Sequence, residues 1–490
     1  MHQHIRLALA TAATVALTGG LLTVAATGAT AADATHVAQA DFNGDGIGDV
    51  ATSASQAYVS GHKAAGQVVA LYGSASGVSS AHRSTISQNT TGVPGTSEAG
   101  DYFGYETAYA DFNGDGYDDL AVGAPGEKVG SDTDGGMISL LWGSAKGLTG
   151  KAVTVADPAP GAHDFWGSDL AAGDFDGDGK ADLAVGSSNS TVYVIKGGIT
   201  TAGKGGLGSY TVKAPIQTGG GIGALNLTAG DVTGDGRTDL VVDGYETSTG
   251  YGWNTNYLLP GTSSGLKATG AQALKAGLVT GIGDINGDGY GDIVSGQYWN
   301  KTDDGVTFPG GVDGGKVWIT YGSASGAGSV AGITQNTGDV PGTSEKNDQF
   351  GWEIDLGDVN GDGYQDIVIG APGENMGSIV DAGMVEVVYG SASGLNTTTG
   401  AQSFAQSTAG VPGADEKSDL FGSDVKLDDV TGDGRADLLV GSAENTYNGQ
   451  VLMLKSNGTK IVTTGAATIS PSTVGVSTTG YPYLGGDFAN

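Results

Sequence analysis

Seven acidic loops, the short apolar run that follows each, and a recurring glycine–serine turn predict an all-β chain: a seven-bladed β-propeller of four-stranded antiparallel blades. The loops read Asp-x-(Asn/Asp/Thr)-x-Asp-Gly-x-x-Asp and start at Asp41, Asp111, Asp174, Asp231, Asp284, Asp358 and Asp429, at steps of 70, 63, 57, 53, 74 and 71 residues. A step averaging about 65 residues holds four short strands and is far longer than one turn of a parallel β-helix.

Within a unit, the first strand leads into the acidic loop. The second is the apolar run after it, as in Leu120-Ala121-Val122, Leu183-Ala184-Val185, Ile367-Val368-Ile369 and Leu438-Leu439-Val440. Brief apolar runs between glycine-rich turns suit strands buried on both faces. The third strand, such as Val68–Tyr72 or Met384–Tyr389, ends in a turn that recurs as Gly73-Ser74-Ala75-Ser76-Gly77, Gly322–Gly326 and Gly390–Gly394. A weaker fourth strand carries Ile86, Ile333 or Phe404. No segment sustains a helical period, so little helix is expected.

Residues 1–31 read as a secretory signal: a weakly basic start at Arg6, an apolar stretch from Leu7 to about Ala26, and the small-x-small site Ala29-Thr30-Ala31. Threonines and small residues dilute that stretch, which argues against a membrane anchor. Residues 32–490 then form one propeller, expected to be secreted, extracellular and monomeric, with no membrane span in the mature chain. The formal net charge of −32 disfavours nucleic acid, whose phosphates need Lys and Arg. With no cysteine, disulfides are excluded, and stability must come from packing, hydrogen bonds and bound ions.

Of 53 acidic residues, 22 stand at positions 1, 3, 5 and 9 of the loops, so the negative charge is concentrated where a cation can neutralise it. The expected ligands are Asp41, Asn43, Asp45 and Asp49; Asp111, Asn113, Asp115 and Asp119; Asp174, Asp176, Asp178 and Asp182; and Asp231, Thr233, Asp235 and Asp239. The last three loops contribute Asp284, Asn286, Asp288 and Asp292; Asp358, Asn360, Asp362 and Asp366; and Asp429, Thr431, Asp433 and Asp437. Backbone carbonyls at position 7 complete each set: Ile47, Tyr117, Lys180, Arg237, Tyr290, Tyr364 and Arg435. An all-oxygen shell on a flexible loop suits calcium, in up to seven sites. Thr233 and Thr431 are poorer ligands, so the loops at Asp231 and Asp429 should bind more weakly. Asp, Asn and Gly are also ordinary turn residues. Yet carboxylates about 4 Å apart repel by about 4 kcal/mol at an effective dielectric near 20, a cost that seven copies would hardly keep without a counter-ion.

Phe103-Gly104, Trp166-Gly167, Phe350-Gly351 and Phe421-Gly422 each stand eight positions before a loop, and Gly123-Ala124-Pro125-Gly126 and Gly370-Ala371-Pro372-Gly373 follow loops. On these motifs the mature chain resembles the FG-GAP repeats of the integrin α head, including secreted bacterial proteins of that type. The resemblance implies a seven-bladed propeller with calcium in several blades and ligand on the face opposite the calcium loops. Repeat one has Asp33-Ala34 where Phe-Gly should stand, while the chain ends with a spare Tyr481-Pro482-Tyr483-Leu484-Gly485. The C-terminal segment is therefore expected to close the ring.

On the opposite face, Tyr245, Tyr251, Trp253, Tyr298 and Trp299 are candidates for stacking on a sugar or anchoring a protein; their bland reading is packing beneath long loops. The serine pattern Gly261–Gly265 aligns with the glycine–serine turns and precedes no helix, so it carries no catalytic residue. An extracellular binding or adhesion module for protein or glycan is the reading expected, with a hydrolase or lyase acting on polysaccharide or ester as its alternative.

Overall fold

The computed structural model describes residues 37–218, 223–247, 254–303 and 306–489. The segment 1–31, expected to be a secretory signal, lies outside them. Seven antiparallel blades stand in a ring, numbered here by their acidic loops. From the axis outward, blade 2 runs Thr107–Ala110, Asp119–Ala124, Met137–Leu141 and Ala152–Val155. Blades 3 to 7 repeat this order, and blade 5 adds a small hairpin, Thr302–Asp303 with Val306–Thr307, between its second and third strands. Among the described residues the one α-helix is the four-residue Pro471–Val474.

The apolar second strands are buried along their whole length in blades 2, 6 and 7, as alternation between two packed neighbours requires. The core lies between blades: Ile138 and Leu140 of blade 2 pack with Leu170, Leu183 and Val185 of blade 3. Phe103, Trp166, Phe350 and Phe421 sit at these seams with at most 1% exposure. The glycine after each has φ near +85°; the carbonyls of Gly167, Gly351 and Gly422 touch the glycine of the preceding blade's second strand, while that of Gly104 accepts the Ser53 hydroxyl in blade 1. A Cβ on Gly123 would lie 2.1 Å from the Gly167 carbonyl oxygen, and one on Gly370 2.2 Å from that of Gly422. Two backbones meet there, so both motif glycines are steric necessities.

Blade 1 has three named strands, Val50–Ala54, Gln67–Leu71 and Arg83–Ile86. Two separate pieces of chain pair along its inner edge: Ala40 bridges Asp49, and Phe488 bridges Thr52. Leu484 bridges Gly449 in parallel, as Phe421 bridges Gly383 and Trp166 bridges Gly136. The Gly485 amide donates to the Ser53 carbonyl at 3.2 Å, as that of Gly104 does to Gly123 at 2.9 Å. Tyr483 shares the left-handed backbone of Tyr102, Phe165, Gln349 and Leu420 at the equivalent position. Leu484 and Phe488 are buried with Val50, Leu71, Val430 and Leu439 between blades 7 and 1.

Candidate functional site: the acidic loops

Each acidic loop joins the first strand of a blade to the second. In all seven, the position-1 carboxylate accepts the amides of positions 5 and 6; in the first loop these are Asp45 to Asp41 at 3.1 Å and Gly46 to Asp41 at 2.9 Å. Side chains at positions 3 and 5 accept amides two residues on, as with Asn360 from Asp362 at 2.9 Å and Asp362 from Tyr364 at 3.1 Å. The loop thus curls around a knot of oxygens. Glycine at position 6 adopts φ between +79° and +88°, which lets the chain turn back without a side chain in the way.

Position 9 differs from the rest. It opens the second strand, and its carboxyl is tucked under the loop, at most 1% exposed in all seven blades. One oxygen accepts the first amide of the glycine–serine turn between strands three and four: Gly73, Gly143, Gly197, Gly261, Gly322, Gly390 and, in blade 7, Ser456, at 2.6–2.9 Å. The two hairpin ends of each blade are therefore tied together. In Asp49, Asp239, Asp292 and Asp366 the second oxygen accepts a loop amide. In Asp182 it is buried without a partner; in Asp119 and Asp437 it is buried with the Phe112 amide and the Thr431 hydroxyl beside the carboxyl but no well-formed hydrogen bond.

Burial is the main cause that pushes these carboxyls up, followed by repulsion from the Asp residues at positions 1 and 5; the turn amide opposes it. Asp119 and Asp366 reach about 8, Asp49, Asp182 and Asp292 about 7, Asp239 and Asp437 about 6. A hard cation fits this donor set. It would partner the buried second oxygens of Asp119, Asp182 and Asp437 and hold the carboxyls ionised, and in blade 3 Asp174, Asp176 and Asp182 offer oxygens within 4.8 Å of one another.

Three features of the loops had no signal in the repeat pattern. The Lys196 ammonium stands 2.5 Å from Asp176, and the Arg237 guanidinium 2.5 Å from Asp235, so loops three and four already hold an internal cation. Thr233 and Thr431 direct their hydroxyls at the position-1 carboxylate, at 3.4 and 3.3 Å. The loops also join neighbouring blades. The position-8 amide donates to the position-1 carbonyl of the blade before at six of the seven seams: Gly48 to Asp429, Asp118 to Asp41, Thr238 to Asp174, Gly291 to Asp231, Gln365 to Asp284 and Ala436 to Asp358, at 2.9–3.1 Å. Side chains at position 7 add contacts: Ile47, Tyr117, Arg237, Tyr290, Tyr364 and Arg435 lie against the position-4 glycine of the preceding loop.

At the other end of the strands, Tyr298 lies 5.0 Å from Trp299 and 4.6 Å from Trp352, and Trp299 stacks on Phe308 at 5.3 Å. All four are half-buried, as is Tyr245. Trp352 and Phe308 were missed in the sequence, although Trp352 directly follows the Phe350-Gly351 motif. Tyr251 and Trp253 lie outside the described residues. Gly261–Gly265 is a surface turn in which the Thr262 hydroxyl donates to the Gly265 carbonyl at 2.7 Å.

Comparison with known proteins gives a consistent picture. The profile "FG-GAP repeat" matches residues 34–71, 103–141, 166–205 and 350–388. Mouse phosphatidylinositol-glycan-specific phospholipase D is 33% identical over 148 residues, 30% of this chain and 17% of that protein. Integrin alpha-PS2 of Drosophila melanogaster is 28% identical over 257 residues, 45% of this chain and 17% of that protein. The chain therefore spans less than a fifth of the length of these relatives. A crystal structure of AofleA from Arthrobotrys oligospora aligns with 76% of this chain and 88% of its own, at 12% identity and a TM-score of 0.36, too loose a likeness to argue from. No helix among the described residues is long and apolar enough to cross a membrane.

Proposed function

Since the chain is an FG-GAP-repeat propeller of the integrin-α-like kind, we propose that it is an extracellular binding module for protein or glycan, stiffened by calcium in its acidic loops. The buried second oxygens of Asp119, Asp182 and Asp437, none of which makes a well-formed hydrogen bond, carry the calcium reading: a buried carboxylate oxygen so placed is costly unless an ion supplies a partner. The ligands are the side chains at positions 1, 3, 5 and 9 and the position-7 carbonyls. Because the loops tie hairpin to hairpin and blade to blade, calcium here would hold the ring together rather than bridge to a partner. The partner belongs on the opposite end, beside Tyr245, Tyr298 and Trp299, where half-buried aromatics offer flat contact area at low entropy cost. Secretion by a signal at 1–31 and closure of the ring by residues 484–489 complete this reading; the Thr52–Phe488 and Gly449–Leu484 bridges support the closure.

The test is thermal unfolding of the metal-stripped protein against graded calcium, with calorimetry to count sites. A rise in midpoint saturating with calcium, and several equivalents bound, is expected. Calcium-independent melting with no heat of binding overturns the metal reading. Glycan and protein arrays probed with the calcium-loaded protein and with Trp299→Ala then test the binding face. Turnover of a polysaccharide or ester instead of retention would favour the hydrolase or lyase alternative.

A further inference from the structure

A second set of carboxylates surrounds the axis at the end of the inner strands away from the acidic loops. Glu106, Asp169, Glu353 and Asp424 each stand five residues before the first Asp of their loop, in blades 2, 3, 6 and 7. Blade 1 supplies the fifth from the other piece of chain on its inner edge, Asp487. The register is the same throughout. The backbone carbonyls of Glu106, Asp169, Glu353 and Asp487 accept the amides of Gly123, Gly186, Gly370 and Ser53, and Asp424 pairs with Gly441. All five therefore lie at one level around the axis. The two remaining places at this level hold Asn226 and Val279.

Burial raises the Asp487 carboxyl, and the Lys426 ammonium acts on this ring by lowering it; Asp169 and Asp424 accept the Ser168 hydroxyl and the Val425 amide. Among the described residues no ion pair reaches any of the five. Lys426, two residues beyond Asp424, lies one level deeper, 3.8 Å from Asp355. Asp424 is only 5% exposed, and its Oδ2 has no partner; the Oδ2 of Asp487 is likewise buried and unpartnered. Asp243, paired with Asn226 on the next strand at the same level, is 0% exposed with both oxygens unpartnered. Burial raises these carboxyls, and the charges of Glu353 and Asp487 raise Asp424 further, which places the three within electrostatic reach of one another.

The mouth above the ring is aromatic. Tyr105, next to Glu106, is 51% exposed, and its hydroxyl is pushed up first by burial and then by Asp169, Glu106 and Asp487. Trp352, next to Glu353, carries the Tyr298 ring at 4.6 Å on the side where Asn226 and Val279 interrupt the acidic arc.

Acidic triads tight enough to share one ion occur, among the described residues, at Asp174, Asp176 and Asp182 and at Asp132, Asp134 and Asp164, not in the ring. A ring drawn from five separate blades, with Tyr105 and Trp352 beside it, suits a larger organic cation, which gains both charge pairing and contact with ring faces. Once ionised against a bound cation, five carboxylates facing one deeper ammonium call for more than one positive charge. We propose that this axial mouth binds a linear polyamine, its ammonium groups spread over Glu106, Asp169, Glu353, Asp424 and Asp487 and its methylenes against Tyr105 and Trp352.

Calorimetry of the full chain in saturating calcium, titrated with spermidine and separately with propylamine, tests this. One equivalent of spermidine should bind at least 10-fold more tightly than propylamine and change the tryptophan fluorescence. The double variant Glu353→Gln with Asp424→Asn should weaken spermidine at least 10-fold. Tyr105→Ala, a surface change that keeps the fold measurable, should weaken it about 3-fold. Asp339→Asn, an exposed charge elsewhere, should have no effect. Several weak equivalents indifferent to Tyr105→Ala and to the double variant, or equal affinity for both amines, would overturn the proposal. Displacement of spermidine by stoichiometric magnesium would overturn it in favour of a metal.

Discussion

At the residue scale, the aspartate at position 9 has two jobs on two oxygens. Asp119→Ala removes the acceptor of the Gly143 amide as well as a proposed cation ligand, and should cost about 1–3 kcal/mol even without metal. Asp119→Asn keeps an oxygen for that amide and loses the charge. It should melt close to the parent in EDTA and gain less from calcium; paired melts with and without calcium separate the two roles. Lys196 gives a second contrast. If its ammonium competes for Asp176, Lys196→Met should tighten binding at loop three by several-fold, read by terbium luminescence of that loop in a background where the other loops are disabled. The candidate ligands were legible because the same oxygen-bearing positions recur seven times. The second use of position 9 was not: its partner, Gly143, is 24 residues away and belongs to a different turn. Lys196 and Arg237 likewise vary from repeat to repeat and leave no periodic trace.

At the element scale, the blades follow directly from their sequences. Asp119–Ala124 begins with a proposed ligand and continues as an apolar run buried on both faces, so one segment names both the strand and its start. Blade 1 was harder to read. Its Phe-Gly place is empty in sequence, and only the backbone at Tyr483 and Gly485 shows how closely residues 481–485 repeat the shape of the other blades. Blade 4 departs most, because Asp243 occupies the place where the neighbouring blades have a close-packed glycine. Phe488 is buried between blades 7 and 1. Phe488→Ala should lower stability by about 3–5 kcal/mol, the usual cost of emptying a buried phenyl site, as judged by urea unfolding. Tyr447→Ala, at 44% exposure, should do little. Equal midpoints for the two would mean that the final segment is not part of the folded ring.

At the scale of the whole molecule, an acidic protein that buries many carboxyls responds to pH in an unusual direction. Asp169 is held up to about 7 by burial, and Asp243 well above its ordinary 3.8. The folded state thus keeps protons that the unfolded chain has released. The Asp169 contribution is complete below about pH 4 and disappears as pH rises through about 7. Metal-stripped protein should therefore melt at a lower temperature at pH 8 than at pH 5.5, at fixed ionic strength. A midpoint that rises over that interval would show these carboxyls ionised in the fold. The spacing of the loops was enough to give the number of blades, whereas the axial ring was hidden because one of its five members comes from the far end of the chain. That arrangement has a consequence in time. Thr52 and Asp487 meet in one small patch although 435 residues separate them. During synthesis, blades 1 to 6 can pair strand by strand as they emerge, but the part of the first blade's inner edge at Thr52 waits for Phe488. A chain cut off at about residue 480 would carry an open seam between blades 7 and 1. Such a product should be cleared by proteases far faster than its length alone suggests.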